Sequence, residues 1–542
     1  MNMNMNKRNL SCVALILSMG LFQPAVFGQG SLTPPGVPGP TMKSLDQVEP
    51  RTLINTTNCP GDSGNSFIIS QPGSYYLASN LTGASGKNGI LIAADNVTIN
   101  LNGFTLTGVP GASLGITTSG SHRGSRVLNG RLTDWPGGGI KIVGAGAMAS
   151  DITVLNSGGA IVFDQQAATL VTHCSGRDLN VGASTDACIV ADNVESCTLD
   201  NISGGANVTC IGGFVRVSGC QVQVVSGTTV TAISCSGVVS DCTILNVSGT
   251  TISGIVGSSV SHCVLSGAGT NSTTSIVGIS GSSVSDCKVA GLTQAAASSA
   301  SSAGISGFSI LNCQVFNVTL KSSTFCWGIK SAQLVKGCSA ANVHNSGTGG
   351  STGLGLNFFS NSTGLITESR VDGCGTGILT VNGCQVLNCV AVGCDNNGIQ
   401  TGQRCSVVDC TAASNGAVTA GYGIIVDIRS RVVRCNLNDN TADGIAISGG
   451  CRVENCISEN NGTGSGAGAV GSGIRVIAGS GSRIESNHVR DNHRYGIEAG
   501  AADVIVRNSS GNNGLFQYLP SSGVNFGPVQ TPAAATNPTA NF

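Results

Sequence analysis

The phrase Val-Ser-Gly-Cys at residues 217–220 returns as Val-Ser-Asp-Cys at 239–242, Val-Ser-His-Cys at 260–263 and Val-Ser-Asp-Cys at 284–287. The same pattern, an apolar residue shortly before a cysteine, recurs every 21 to 26 residues along much of the chain. A fixed period of this length indicates a repeat architecture. The cysteines that the pattern places are Cys174, Cys197, Cys220, Cys242, Cys263, Cys287, Cys313, Cys338, Cys389, Cys410, Cys435 and Cys456.

The repeating unit has the composition of strands and turns. It is rich in Val, Ile, Thr, Ser and Gly with short alternating runs, whereas a helical repeat needs apolar residues at 3.6 spacing. A Gly-Ile-x-apolar phrase follows most of the later cysteines, as at 398, 423, 444 and 473. One such unit cannot bury its apolar side, but stacked units can. The sequence predicts an all-β fold, a single right-handed parallel β-helix of roughly 17–19 coils with an N-terminal cap.

A second column of residues keeps the same register. It lies five residues after the cysteine position, where Cys374 and Cys394 come first and asparagines follow. The same spacing makes Asn487 and Asn508 the ladder residues of the last two coils. An amide side chain at a turn can bond to its neighbours above and below. The predicted asparagine ladder consists of Asn415, Asn440, Asn461, Asn492 and Asn513.

Composition and charge limit the domain plan and the partners. Lys and Arg total 26 and Asp and Glu 27, so the net charge of −1 argues against nucleic acid as a partner. No later apolar run is long enough to span a membrane, and the protein is expected to be exported, to the periplasm, cell surface or medium. The predicted segments are a signal peptide (1–28), a Pro/Gly linker (29–45), a cap with entry strands (46–87), the β-helix (88–513) and an irregular closing segment (514–542).

The chain has 23 cysteines, and export would expose them to an oxidising compartment. Ladder side chains in register point the same way rather than at each other, so we expect mostly free, inward-facing thiols. A second, shorter column at Cys384, Cys405 and Cys451 is where a few disulfides would form. No Cys-x-x-Cys or Cys/His pair has zinc-ligand spacing, so no metal site is predicted.

Several phrases carry a family resemblance. The run LDQVEPRT from Leu45, PGSYYL from Pro72, NVTINLNGFTLTG from Asn96 and the tail GPVQ…NPTANF resemble exported bacterial proteins with right-handed β-helix repeats. These proteins belong to the pectin-lyase-like superfamily. The resemblance implies the fold and export, in a group that largely lacks an assigned activity. The wider superfamily includes polysaccharide lyases, polygalacturonases, epimerases and non-catalytic surface proteins, and fold alone does not choose among them.

Motifs of the catalytic branches are missing from the sequence. The hydrolase branch carries paired Asp residues, a Gly-His-Gly and an Arg-x-Lys, none of which occurs here. Lyases of the superfamily need a cluster of calcium-binding carboxylates, and no acidic cluster is dense enough to assign. Catalysis is therefore undecided, with a non-enzymatic role favoured, and an enzyme would be a lyase or epimerase rather than a hydrolase. No cofactor is expected, and calcium only in the case of a lyase.

Charge is concentrated near the C-terminal end of the repeat. The register stacks three arginines four residues before the ladder and two glutamates two residues before it, with more polar groups in the next turn. One interpretation is a groove that holds an acidic sugar chain through arginine; the other is a row of cross-strand ion pairs on an exposed sheet. The candidate ligand-binding residues are Arg431, Arg452, Arg483, Glu454, Glu485, Asp491, His493 and Arg494.

Two tryptophans are further candidates. An exposed Trp135 or Trp327 could stack on a sugar ring, although a tryptophan that closes a loop over the core is the favoured interpretation. Two functions remain open at this point. The first is an exported protein that interacts with polysaccharide, with lyase or epimerase activity as a variant. The second is a structural or adhesive surface rod with protein or matrix partners.

Overall fold

The computed structural model describes residues 49–542, except 165–166, 183–186, 271–273, 297–301, 322–325, 347–352, 359–362, 463–470, 521 and 532–535. The chain divides after Pro50, and Arg51–Phe542 forms the second, compact unit. The predicted signal peptide and linker lie outside the described residues. Within the second unit, the described residues form strands and turns and contain no helix. This unit is a single parallel β-solenoid of about 19 turns, which confirms the predicted fold class.

Each turn of the solenoid contributes one strand to each of three parallel sheets. In one turn these strands are Ile399–Thr401, Ser406–Val408 and Thr411–Ala413, which we assign to the first, second and third sheet respectively. Each pairs in parallel with the equivalent strand of the next turn, so that Ile399 aligns with Ile424 and Thr411 with Asn436. In the middle of the unit, long strands run around corners and belong to two sheets or, for Thr243–Ser261, to all three.

The strands of the described residues, in chain order, have the following bounds. They are Thr52–Leu53, Asn65–Ile69, Gly73–Tyr76, Leu81–Thr82, Asn88–Ile92, Val97–Asn100, Thr105–Thr107, Leu114–Thr118, Arg126–Thr133, Gly138–Val143, Met148–Leu155, Ile161–Asp164, Leu170–Thr172, Ser175–Val181, Ile189–Glu195, Thr198–Gly204, Asn207–Ser218, Gln221–Cys235, Val238–Ser240, Thr243–Ser261, Val264–Thr270, Ile276–Ser285, Lys288–Gln294, Ser302–Leu311 and Gln314–Leu320. They continue with Cys326–Lys336, Ser339–Asn345, Gly353–Phe358, Leu365–Thr367, Arg370–Asp372, Thr376–Thr380, Gln385–Leu387, Val390–Val392, Ile399–Thr401, Ser406–Val408, Thr411–Ala413, Ile424–Val426, Arg431–Val433, Asn436–Asn438, Ile445–Ile447, Arg452–Glu454, Ile457–Glu459, Ile474–Val476, Arg483–Glu485, His488–Arg490, Tyr495–Ala499, Val504–Val506, Ser509–Gly511, Phe516–Pro520 and Asn525–Phe526.

The repeated phrase before each cysteine has a conformational cause. The residue just before the ladder position has a positive φ, for example 56° at Asp241, 53° at Asp286 and 52° at Asn312. Asn, Asp and Gly tolerate this left-handed conformation best, which explains their frequency there. This one residue with positive φ turns the chain from the second sheet to the third, so that the ladder side chain that follows points into the core.

The cysteine ladder lies in the core at this corner. All 22 cysteines among the described residues are buried and free of disulfides, including Cys384, Cys405 and Cys451. Each ladder thiol donates to backbone carbonyls, as Cys287 Sγ does to Ser285 O at 3.1 Å and to Val260 O of the previous turn at 3.8 Å. Cysteine therefore acts as a small buried residue with a weak donor.

Toward the C-terminal end, asparagines continue both the cysteine ladder, at Asn487 and Asn508, and the column five residues after it, which begins at Asn415. Asn415 Nδ2 donates to Asn440 Oδ1 at 2.9 Å, and Asn440 Nδ2 donates to Asn461 Oδ1 at the same distance. Each Oδ1 also accepts the backbone N–H of the preceding rung, as Asn440 Oδ1 does from Asn415 at 3.2 Å. These buried amides satisfy turn groups that would otherwise be unpaired, which is costly in a core. The same ladder continues through Asn492 to Asn513.

The Gly-Ile phrase marks the start of each strand in the first sheet. A Cβ at Gly423 would lie 2.6 Å from Gly444 O and 2.7 Å from Asn440 Nδ2. Real Cβ atoms do not approach this closely, so the coil spacing and the ladder together require glycine.

The parallel stack extends at both ends beyond residues 88–513. Asn65–Ile69 already pairs with Asn88–Ile92, and Phe516–Pro520 pairs with Tyr495–Ala499. Pro60 forms an antiparallel bridge with Phe67, which covers the free edge of the strand Asn65–Ile69. Such cover protects an edge from pairing with another chain.

Candidate functional site

The predicted arginine and glutamate columns exist in the second sheet. Arg431 aligns with Arg452 and Arg452 with Arg483, while Glu454 aligns with Glu485. These side chains alternate with core valines and isoleucines, so they occupy the outer side of the sheet.

The columns form ion pairs with one another. Arg452 pairs with Glu454 and lies 4.0 Å from Glu485, and Arg483 pairs with Glu485. Arg507, which the sequence interpretation left out, also pairs with Glu485. Glu485 is only 7% exposed. The guanidinium groups are thus largely engaged by carboxylates of their own sheet.

Asp491, His493 and Arg494 lie at a different corner, after the third sheet. Asp491 accepts hydrogen bonds from Asn512 and from Arg490 Nε, the latter at 2.6 Å, and these contacts lower the pKa of its carboxyl. Arg494 lies 4.7 Å from the centre of the Tyr495 ring. The exposed His493 donates its backbone N–H to Asn461 O. The structure therefore places the predicted site residues in two groups on different sheets.

Both tryptophans are buried. Trp135 donates from Nε1 to Leu106 O at 3.0 Å and packs over glycines of the first turns. Trp327 packs with Ala303 and Leu354 in a small cluster, and Lys330 Nζ lies 4.2 Å from the centre of its ring. Neither ring is available as an exposed sugar platform.

Open depressions lie one after another on the outer face of the first sheet. One of about 400 Å³ is bordered by Phe163, Thr231 and Ser234, and one of about 420 Å³ by Val256 and Ser306. A third, of about 330 Å³, lies nearer the C-terminal end and is bordered by Gln400 and Ile425. We call this surface the grooved face, and the register defines its central column as Val190, Gly212, Ser234, Val256, Ser280 and Ser306.

Two exposed phenylalanines border the grooved face at the same corner. Phe214 is 37% exposed and Phe308 is 54% exposed. Ser259, Ser283 and Ser309 align in successive turns, as do Gly257, Gly281 and Gly307. The residues between these pairs, Ser258, Ser282 and Phe308, are therefore equivalent. In the two preceding turns the same corner holds two residues, 214–215 and 236–237, of which Phe214 and Ser236 come first. We call Phe214, Ser236, Ser258, Ser282 and Phe308, which lie at one corner in five successive turns, the corner column.

Few charged residues lie near this part of the grooved face. Residues 207–320 contain only Arg216, Asp241, Asp286 and Lys288. Arg216 aligns with Val238 in the second sheet, Lys288 lies in the third sheet, and the two aspartates occupy the tight corner before the cysteine ladder. Asp164 borders the 400 Å³ depression at its N-terminal end. In its central turns, the grooved face thus consists of serine, glycine, valine and phenylalanine residues.

A compact charged cluster occupies the C-terminal part of the first sheet. The fully buried Asp443 accepts the backbone N–H groups of Gly471 and Ser472 at 2.8 and 2.7 Å. Arg475 Nη1 lies 3.4 Å from Asp443, and Arg475 Nε lies 3.5 Å from Glu498. Burial raises the pKa of Asp443. The cluster is internally paired. Arg475 and Glu498 align in register after the Gly-Ile phrase, but Asp443, which lies before that phrase in an earlier turn, gives no signal of its burial in the sequence.

Among the described residues, no group of three or more His, Cys, Asp or Glu side chains is placed to hold a metal ion. The described part of the chain also has no helix with the length and apolar character needed to cross a membrane.

Comparison with known proteins supports the fold. Residues 400–527 match the family model of the right-handed β-helix region. The predicted resemblance to right-handed parallel β-helix proteins is confirmed. Export, which the same resemblance implies, stays a prediction. No curated protein matches the chain.

Similar solved structures have low identity. The periplasmic alginate epimerase AlgG is 10% identical with a TM-score of 0.29, over 59% of this chain and 75% of that one. The Siphovirus 9NA tailspike receptor binding domain is 9% identical with a TM-score of 0.23, over 86% and 74%. The A-module of the Azotobacter vinelandii mannuronan C-5 epimerase AlgE4 is 11% identical with a TM-score of 0.12, over 84% and 91%. At these TM-scores the similarities carry no functional argument.

Proposed function

We propose that the protein binds polysaccharide along the grooved face of its first sheet. The observation that carries this proposal is the succession of open depressions bordered by Phe214 and Phe308 at one corner. An exposed aromatic ring offers a flat apolar surface to the C–H groups of a sugar ring. Binding sites combine such apolar surface with a few polar groups that orient the ligand, and serines supply these here.

The repeating geometry suits a polymeric ligand. Successive turns present equivalent positions about 4.8 Å apart. An extended polysaccharide is also a linear repeat, so one surface can contact many sugar units with the same kind of side chain. With the predicted signal peptide, this function belongs outside the cytoplasm, at the cell exterior or in the periplasm.

The test is a binding screen of the purified protein against neutral and acidic polysaccharides, with and without calcium. The double variant Phe214→Ala/Phe308→Ala should lose at least about tenfold in affinity for any ligand found, because two stacking contacts are removed. Ile457→Ala is the matched control, since this side chain is 42% exposed but lies in the third sheet. Binding that the double variant leaves unchanged would exclude the grooved face.

The same screen tests for catalysis. Release of unsaturated oligosaccharides, read by ultraviolet absorbance, would show a lyase, and a changed sugar composition in the recovered polymer would show an epimerase. Binding without either product supports a non-catalytic role.

A second candidate function is an adhesive rod with a protein or matrix partner. It is favoured by the exposed Val215 and Val238, which lie in adjoining turns beside Phe214. Contiguous exposed apolar side chains often mark a protein interface. Failure to bind any glycan, together with loss of surface adhesion in Val215→Ser/Val238→Ser, would support this alternative.

A further inference from the structure

The corner column of the grooved face has a specific order. Two phenylalanines, Phe214 and Phe308, enclose three exposed serines, Ser236, Ser258 and Ser282, in consecutive turns. Four turn-to-turn steps separate the rings, which amounts to about 19 Å along the axis. Beside this column, the half-buried Ser234, Ser280 and Ser306 place further hydroxyls on the sheet itself. Each turn of the stretch therefore adds one or two small polar groups between two apolar ends.

The electrostatic environment of this stretch does not suit an anionic polymer. An acidic polysaccharide needs a regular supply of cations, preferably arginine forks that bind carboxylate or sulfate. In the turns between Phe214 and Phe308, no lysine or arginine lies in the first sheet among the described residues. Asp164 borders the adjoining depression and would repel an anion.

The exposed Arg216, two residues after Phe214, lies in the second sheet and supplies a single positive charge at one end of the stretch. The nearest cation of the first sheet itself is oriented toward an aromatic ring. Lys330 follows Ser306 in the next turn, and its ammonium group lies over the Trp327 ring at 4.2 Å. The strongly charged turns of the second sheet begin far along the chain, at Arg431, and form ion pairs with their own glutamates. The observed charge distribution thus separates the phenylalanine stretch from the arginine columns.

From this geometry we infer that the ligand of the Phe214–Phe308 stretch is an uncharged polysaccharide, bound extended along the solenoid axis with about one sugar unit for each turn. This inference rests on the proposed function. Neutral sugars offer C–H faces for the two rings and hydroxyl groups for the serines. A serine hydroxyl can both donate and accept, so it matches sugar hydroxyls in either orientation. Ser258 Oγ already donates its proton to Ser236 O at 2.6 Å, so it can only accept a hydrogen bond from a sugar hydroxyl.

The inference predicts a characteristic dependence on ligand length. Oligosaccharides too short to reach both rings should bind weakly, and affinity should level off at about five or six units, when the chain spans about 19 Å. Longer oligomers should have only slightly higher affinity, because they offer more equivalent segments that can occupy the same site. Affinity should be nearly independent of ionic strength, because no charge pairs form.

The experiment uses neutral gluco-, xylo- and manno-oligosaccharides of two to eight units, with oligogalacturonates and alginate oligomers as the anionic series. Calorimetry at 0.05 and 0.5 M salt measures affinity for the wild type, Phe214→Ala, Phe308→Ala and the control Ile457→Ala. The expected result is at least tenfold preference for one neutral series, a plateau near five or six units, and a weaker, length-independent affinity in either phenylalanine variant. Thermal unfolding of each variant checks that the exposed substitutions leave the fold intact.

Three results would contradict the inference in distinguishable ways. If anionic oligomers bind better, with an affinity that falls at high salt and is lost in the phenylalanine variants, the grooved face is a glycan site but the neutral assignment is wrong. If glycans bind but the phenylalanine variants bind like the wild type, both the inference and the proposed site fail. A plateau at two or three units would contradict the extended, ring-to-ring placement alone.

Discussion

Asn541 Oδ1 accepts the backbone N–H of Asn508 at 3.0 Å, so a residue from the tail forms the last rung of the corner ladder that begins with the cysteines. The Asn541 side chain is fully buried, and its Nδ2 donates to Ile505 O and Gly527 O at 3.0 Å each. The tail therefore closes the C-terminal end of the core with the same hydrogen bonds that join one turn to the next.

Replacing this rung should loosen the last turn. Asn541→Ala leaves the N–H of Asn508 and the carbonyl of Gly527 without their partner, while Ile505 O keeps the N–H of Gly527, and we expect a cost of about 1–3 kcal/mol. The loss should be local, because a solenoid is stabilised mainly by neighbouring turns. Hydrogen exchange should accelerate around residues 505–513 and stay unchanged in the strand Ser302–Leu311. Asn537→Ala, at an exposed tail position, is the control. If residues 505–513 exchange at the same rate in both variants, the Asn541 side chain does not close the core.

The cysteine ladder should be chemically inert in the folded protein. Its thiols are all buried, so a reagent cannot reach them in the folded protein, even at Cys287 and Cys410, where hydrogen bonds with neighbouring thiols lower the pKa. At Cys197 the hydrogen bond with Cys174, together with burial, raises the pKa to about 12, which also disfavours the reactive thiolate. Native protein should therefore show negligible labelling by a thiol reagent at pH 8. After denaturation, the 22 cysteines from Cys59 to Cys456 should all react. Fast labelling of ladder positions without denaturant, or disulfide-linked peptides in the mass spectrum, would refute this prediction.

Asp443 should make stability depend on pH. Burial raises its pKa in the folded state, so its stabilising contribution is complete below the unfolded pKa of about 3.9 and is lost as pH rises through the folded pKa. Asp443→Asn cannot ionise. The stability of the wild type relative to this variant should therefore be greatest near pH 3.5 and decline toward pH 8, as measured by urea unfolding.

A matched control separates this effect from general charge effects. Asp241→Asn changes an exposed aspartate at a position with positive φ, a conformation that asparagine also tolerates. The difference between wild type and Asp241→Asn should vary much less with pH. If the difference in stability between the wild type and Asp443→Asn does not change with pH, the hydrogen bonds that Asp443 accepts from Gly471 and Ser472 fully offset the effect of burial on its pKa.

The sequence predicts the core of this fold better than its surface. A ladder position must hold a small, buried side chain in every turn, so Cys263, Cys287 and their equivalents leave a visible period. The outer positions of the first sheet carry no such constraint: Val190, Gly212 and Ser234 align in space but share no residue type. Phe214 and Phe308 fall at one corner only when the intervening turns are counted. A recurring Gly-Phe at 213–214 and 307–308 was the one available signal.

The arginine columns provide a direct comparison of the two candidate surfaces. Sequence register alone placed Arg452 and Arg483 on one face, but could not show that Glu454, Glu485 and Arg507 complete the ion pairs. Arg452→Ala/Arg483→Ala should leave glycan affinity within about twofold of wild type, since these guanidinium groups already bind carboxylates of their own sheet. Calorimetry with the best ligand of the screen measures this.

The same double variant should affect stability instead. Glu485 is nearly buried, and removal of two of its cationic partners leaves its carboxylate with Arg507 alone. We expect a destabilisation of about 1–2 kcal/mol, reduced by solvent because the arginines are about half exposed. The triple variant that adds Glu485→Gln should recover part of this loss, because a neutral amide then replaces the nearly buried carboxylate that keeps only Arg507 as a cationic partner. Loss of glycan binding with unchanged stability would instead identify the second sheet as the ligand site and exclude the grooved face.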